Sequence, residues 1–219
     1  MVRKFDKDMV WALVVSLALV SALCFYFEPK WDTNDDVAYS MIAHGYGAAA
    51  ISLPTLVFSN VIWGYFVQSI PQINGVLGYS IATLGVLVLS GVVVLFALRK
   101  VGLSWIVSCA VAIFLLVRPV LFPQFTINAG LMSVGAFACW YLYGTSNGGK
   151  PTLIVGCVLA FLGYLIRDQE FALVLAIATP LLPWGKLVKD GFAVVAALVL
   201  AAAIGGAMYM DRQAYQGED

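Results

Sequence analysis

The chain has 219 residues, of which 62% are hydrophobic and only 11% charged, with twelve basic and twelve acidic side chains and no net charge. Apolar content at this level excludes an ordinary soluble domain, and scattered Lys and Arg in a neutral chain leave no basic footprint for nucleic acid. The four cysteines, Cys24, Cys109, Cys139 and Cys157, lie far apart inside apolar runs, which suits small buried hydrophobes better than a disulfide framework or a zinc site.

The first element is the apolar run Met9–Phe27, long enough to cross ~30 Å of hydrocarbon. Arg3, Lys4 and Lys7 precede it as in a signal sequence. The run lacks an A-x-A exit, however, and Leu23 is too bulky to stand before a lipoprotein-type cut at Cys24. It is read as an uncleaved first helix. Residues 28–75 then form a long polar loop. It opens with Asp32-Thr33-Asn34-Asp35-Asp36 and contains Ala48–Ile70, an uncharged stretch interrupted by Pro54, Ser59, Asn60 and Gln68. Ala48–Ile70 is expected to be a helix lying in the membrane interface, anchored by Trp63 and Tyr65, rather than an eighth span. Six further spans come after it, at Val76–Leu98, Leu103–Val117, Ile127–Tyr143, Thr152–Ile166, Phe171–Trp184 and Phe192–Met210. The fold class is therefore all-α: a polytopic membrane helix bundle of about seven transmembrane helices, forming one domain.

Charge sorts the loops. With the N-terminus on the cytoplasmic side, Arg3, Lys4, Lys7, Arg99, Lys100, Lys150, Lys186 and Lys189 lie inside, and Lys30, Arg118, Arg167 and Arg212 outside. That is the positive-inside bias of a plasma-membrane protein. The acids fall mostly on the outer face, which suggests either a shared charged site there or short inner loops with little room.

On that face, Asp35 and Tyr39 are four residues apart, as are Asp36 and Ser40, so each pair shares a helix face. Asn34 is placed to cap this helix, and both acids favour its positive end. The pattern serves an ordinary helix start as well as a site. A second cluster, Arg167-Asp168-Gln169-Glu170, joins two short apolar runs and should sit below the outer surface. An arginine recessed there suits a phosphate, or an ion pair with Glu170 or Asp168. His44, the only histidine, lies just beyond the acidic pair. Arg118 is a second anion contact or a headgroup anchor. Gln124, Thr126 and Asn128 form a polar patch compatible with sugar hydroxyls.

Asp35-Asp36-x-x-Tyr39-x-x-Ile42-Ala43-x-Gly45, with Pro54 further on, resembles the first external loop of polytopic glycosyltransferases of the GT-C superfamily, such as lipid A aminoarabinose transferases and protein O-mannosyltransferases. The Arg167 turn and Asp211-Arg212-Gln213-Ala214-Tyr215 are similar in placement. The resemblance implies a bacterial inner-membrane enzyme that moves a sugar from a polyprenyl-phosphate-linked donor to an acceptor. Asp35 would be the general base. Asp36 would orient it, raise its pKa or help hold a divalent cation, with metal use left open. Tyr39, His44, Arg118, Gln124, Arg167, Asp168 and Glu170 would contact substrate. The resemblance covers the pattern of the whole chain, but members of that group usually have more helices, so the chain would answer to the N-terminal portion of such an enzyme or to a minimal relative. Two other classes fit the same pattern: a small transporter or lipid flippase, for which no internal repeat is evident, and a non-catalytic subunit of a larger membrane complex, packed through its glycines.

Overall fold

The computed structural model describes residues 7–216. Arg3, Lys4, Asp6, Glu218 and Asp219 lie outside them. The described chain is all-α, with ten helices and, apart from one isolated bridge between Ile73 and Val76, no β-structure. The helices are α1 (Lys7–Tyr26), α2 (Asn34–His44), α3 (Val61–Ser69), α4 (Gly78–Lys100), α5 (Trp105–Leu121), α6 (Phe125–Gly144), α7 (Lys150–Ile166), α8 (Asp168–Ala178), α9 (Trp184–Leu187) and α10 (Gly191–Gln216). Four of them, α1, α4, α6 and α10, are long and apolar enough to cross a membrane, and α5 and α7 are shorter apolar helices. The four cysteines are free, as their isolation in apolar runs requires.

The centre of the bundle is α6, which packs along α7 and also touches α4 and α8. Its two ends serve as landmarks. Near its start gather α2, α3, the start of α4, the junction of α7 with α8, and the last turns of α10. Thus Asn60 N–H donates to Leu165 O, Val61 N–H to Asp211 Oδ1, and the Tyr215 hydroxyl to Leu56 O. Near the other end, Pro183 lies against Gly144, and the Lys186 ammonium donates to Tyr143 O and Ser146 Oγ. There the Tyr143 hydroxyl donates to Asp190, holding that carboxyl below its ordinary range. The chain therefore makes seven passes between two polar ends. The segment 168–184 completes its pass only in part as a helix: α8 ends at Ala178, and Pro180 and Pro183 confine the remainder to a 3-10 turn and a bend.

Close helix crossings rest on small residues. Ser16 of α1 donates its hydroxyl to Val88 O of α4 at 2.7 Å, and Gly91 stands opposite, where an added Cβ would come within 2.3 Å of Ser16 Oγ.

The expected helix Ala48–Ile70 is corrected. Residues 45–60 carry turns with Gly45 and Gly47 at positive φ, and the helix is only α3, nine residues capped by the Asn60 side chain, which accepts from Ile62 N–H at 3.0 Å. At 1.5 Å per residue it reaches about 14 Å, far too short to cross a bilayer. Nor is it simply an interfacial float. Trp63, expected as an anchor, is buried in the core together with Val67, while Tyr65 and Phe66 face out. Gly64 allows this, since a Cβ there would collide with Pro54 O at 1.8 Å. The cap of α2 is also one residue earlier than expected: Thr33, not Asn34, precedes the helix.

Candidate functional site

The apolar faces of α2 pull its polar residues into the bundle end, and two of them serve there as caps for other helices. Asp36 is fully buried. Its carboxylate accepts from the Thr33 hydroxyl at 2.8 Å, the Tyr79 hydroxyl at 2.8 Å and the Phe125 N–H at 3.1 Å. That N–H is one of the orphan donors at the start of α6, where Gln124 supplies no side-chain cap. Burial raises the Asp36 pKa; the three hydrogen bonds oppose the rise, and the neighbouring charge of Asp35 adds to it. His44 Nε2 accepts from Tyr79 N–H at 3.0 Å and so caps α4, and burial lowers its pKa. Both carboxylate oxygens of Asp36 and Nε2 of His44 are thus engaged by the fold. Neither the orientation of Asp35 by Asp36 nor a cation on Asp36 is evident from this geometry, because both carboxylate oxygens are already held.

Asp35 is different. It lies in the first turn of α2, exposed, and its carboxylate makes no hydrogen bond or ion pair to any described residue. One turn on, Tyr39 is buried, and its hydroxyl accepts from Phe58 N–H at 3.0 Å. Burial raises the Tyr39 pKa, and the charges of Asp35, Arg167 and Asp36 all reach its hydroxyl. Tyr39 also packs edge-on to Phe125 at 5.0 Å between centroids.

Arg167 is the single extended residue between α7 and α8. Its guanidinium lies over the parallel rings of Phe58 (5.3 Å) and Phe125 (5.0 Å), the two rings being 6.4 Å apart. Nη1 donates to Thr126 Oγ1 at 2.6 Å and Nη2 to Gln169 Oε1 at 3.3 Å. Nε is buried without a hydrogen bond, its closest acid being Glu170 Oε1 at 3.8 Å. An arginine carries five N–H donors in a fixed fork. Two are used here, one of them by an exposed glutamine that a ligand can displace. The expected ion pair with Glu170 is therefore present, and Asp168 instead accepts from Gln169 N–H.

The remaining sequence candidates sit at the same end but apart from this pair. Arg118 is largely exposed and pairs with Asp32 at 3.4 Å. Gln124 is half-buried before α6. Asn128, one turn further, is buried with its side-chain oxygen unpaired. Asp168, Gln169, Tyr164, Asn60 and Asp211 line a polar pocket of about 190 Å3, whose walls do not include Asp35. Sequence reasoning missed Tyr79, Phe58 and the capping role of Asp211. The signal for Asp211 was visible: an acid in the closing turns of a long apolar helix opposes the helix dipole and needs a partner. Nothing marked Tyr79 or Phe58 beyond their being aromatic. Among the described residues no three His, Cys, Asp or Glu side chains converge as a metal site.

Together these features define a polytopic, all-α membrane protein with a polar cluster at one end of its bundle. No protein-family model matches the chain, and no curated protein or solved structure is detectably similar to it.

Proposed function

We propose that the chain is a membrane glycosyltransferase of the GT-C kind, taking a sugar from a polyprenyl-phosphate-linked donor to an acceptor hydroxyl at the membrane face that carries Asp35. The observation that carries this reading is the pairing around Tyr39. A solvent-exposed carboxylate stands one helical turn before Tyr39, and Tyr39 packs on the Phe125 ring that also carries the recessed, partly unsatisfied Arg167 guanidinium, without the two charges being bonded to each other. Asp35 takes the proton of the acceptor hydroxyl as that oxygen forms its bond to the anomeric carbon. The bond from that carbon to the phosphate oxygen breaks, and Arg167 stabilises the charge gathering on the departing polyprenyl phosphate. Thr126 and the two phenyl rings hold the guanidinium flat for that purpose. In this reading the lysine-bearing end faces the cytoplasm of a bacterial cell and the Asp35 end faces outward.

The test is mass-spectrometric analysis of lipid-linked sugars and their products with wild type, Asp35→Asn and Arg167→Ala. Loss of a general base costs about 10²–10⁴ in rate, so Asp35→Asn should stop transfer while donor binding persists. Arg167→Ala should weaken donor binding. Full activity of Asp35→Asn would remove the mechanism.

A second reading, a non-catalytic subunit of a larger complex, is favoured by α10. Over 26 residues only Ala193 and Ala207 are fully buried, and Val194, Val195, Leu198 and Val199 are exposed, so one apolar face is open to another helix. Co-purification of a stoichiometric membrane partner, with no change in lipid-linked sugars on deletion, would select that reading.

A further inference from the structure

Between α10 on one side and α8 and α9 on the other lies an apolar groove of about 450 Å3, which runs from the lysine-bearing end up to Phe171, one turn from Arg167. Phe171, Leu175 and Leu198 line it, with Trp140 and Trp184 toward the lysine-bearing end. Leu175, Leu198 and Trp184 are exposed, so the groove opens sideways onto whatever surrounds the bundle. The lining is almost wholly apolar, Thr179 being the one hydroxyl side chain in it, so a flexible hydrocarbon chain can lie along it.

The mouth of the groove carries more positive than negative charge. Lys189 is exposed beside the lining residue Val188. The Lys150 ammonium lies 4.8 Å over the ring of Phe192, next to the lining residue Ala193. Lys186 adds a third positive charge, although its ammonium is tied to Tyr143 O and Ser146 Oγ. The acid at this mouth, Asp190, is occupied by the Tyr143 hydroxyl and the Phe192 N–H. An apolar slot under an excess of lysines matches a molecule with a hydrocarbon tail and an anionic head.

We propose that this groove binds an anionic phospholipid, one acyl chain lying between α8 and α10 and the headgroup phosphate resting on Lys189 and Lys150. The headgroup end of the site lies opposite the Asp35–Arg167 cluster, and the proposal does not depend on that cluster's function.

Native mass spectrometry of the whole chain in detergent, with phosphatidylglycerol or phosphatidylcholine of matched chains added, tests it. One phosphatidylglycerol should be retained in preference to phosphatidylcholine. A basic residue near an anionic lipid contributes about 1 kcal/mol, so Lys150→Gln with Lys189→Gln should weaken retention about tenfold or more. Both side chains are at the surface, so the fold is not at stake. Ala197→Phe, which fills the groove from α10, should also displace the lipid, and glycerol phosphate without acyl chains should not compete. Equal retention of the two lipids, or a preference that survives the lysine changes, overturns the proposal. So does retention unaffected by Ala197→Phe, or full competition by glycerol phosphate.

Discussion

Tyr79, in the first turn of α4, donates its hydroxyl at 2.8 Å to the carboxylate of Asp36, in the first turn of α2. The same carboxylate oxygen accepts from Phe125 N–H at the start of α6, so one buried acid holds three helix starts together. Its neighbour Asp35 is left free by this arrangement, because the face of α2 that carries Asp36 is the one turned inward.

The nature of that junction predicts the response to substitution. Asp36→Asn keeps an oxygen for Tyr79 and Phe125, and its amide can donate to Thr33. It should cost less than about 1 kcal/mol, since the relieved burial of charge offsets the weaker hydrogen bonds. Asp36→Leu strands the Phe125 N–H and the Tyr79 hydroxyl, at about 1–3 kcal/mol each. Unfolding in mixed micelles monitored by circular dichroism separates the two. Equal damage from both would mean that the charge itself, not the acceptor, is required.

His44 gives a pH dependence. Its Nε2 needs its lone pair to accept from Tyr79 N–H, and burial depresses its pKa. The unfolded chain therefore binds a proton more readily than the folded one. Stability from His44 is present above about pH 6.5, the ordinary imidazole value, and is lost as pH falls through the lowered folded value. Asp36, with its raised pKa, has the opposite sign: its contribution is present below the ordinary carboxylate range and is lost as pH rises through the folded value. Comparing wild type with His44→Gln isolates the first effect. The difference between them should shrink from pH 7.5 to pH 5, and a constant difference would mean that the cap is not formed by the neutral ring.

Two glycines are predicted to be intolerant for contact reasons alone. Gly64→Ala puts a methyl 1.8 Å from Pro54 O, a backbone atom that cannot turn aside, so α3 must shift off the loop. A loss of about 1–3 kcal/mol, in the range of overpacked cores, is expected. Gly91→Leu should separate α1 from α4 at Ser16. Gly205→Ala, where nothing lies within 4 Å, is the control and should be neutral. Thermal stability in detergent reads all three.

The seven passes put Asn34 and Gly149 at opposite ends of the bundle. Cysteines placed there, in a chain otherwise lacking them, should react with an impermeant thiol reagent from opposite sides of the membrane. Labelling of both from one side would require an even number of passes between them.

The hydropathy of the chain alone determined that it is an all-α membrane bundle and where its seven apolar passes run. The longest of these runs, α1, α4, α6 and α10, have backbone polar groups with no alternative to helical hydrogen bonds in hydrocarbon. The grouping of Asp35, Tyr39 and Arg167 at one end came from the same count, since the number of passes fixes which loops meet. Sequence could not decide that Ala48–Ile70 shrinks to α3. An uncharged stretch reads alike whether it floats at an interface or packs by Trp63 and Val67 into a core, and only the approach of Gly64 to Pro54 distinguishes the two. Nor could it separate Asp35 from Asp36. Two adjacent acids in a first turn are equivalent to the helix dipole. Which one becomes a buried cap depends on where Tyr79 and Phe125 arrive from 43 and 89 residues away, and that long-range meeting belongs to the tertiary structure.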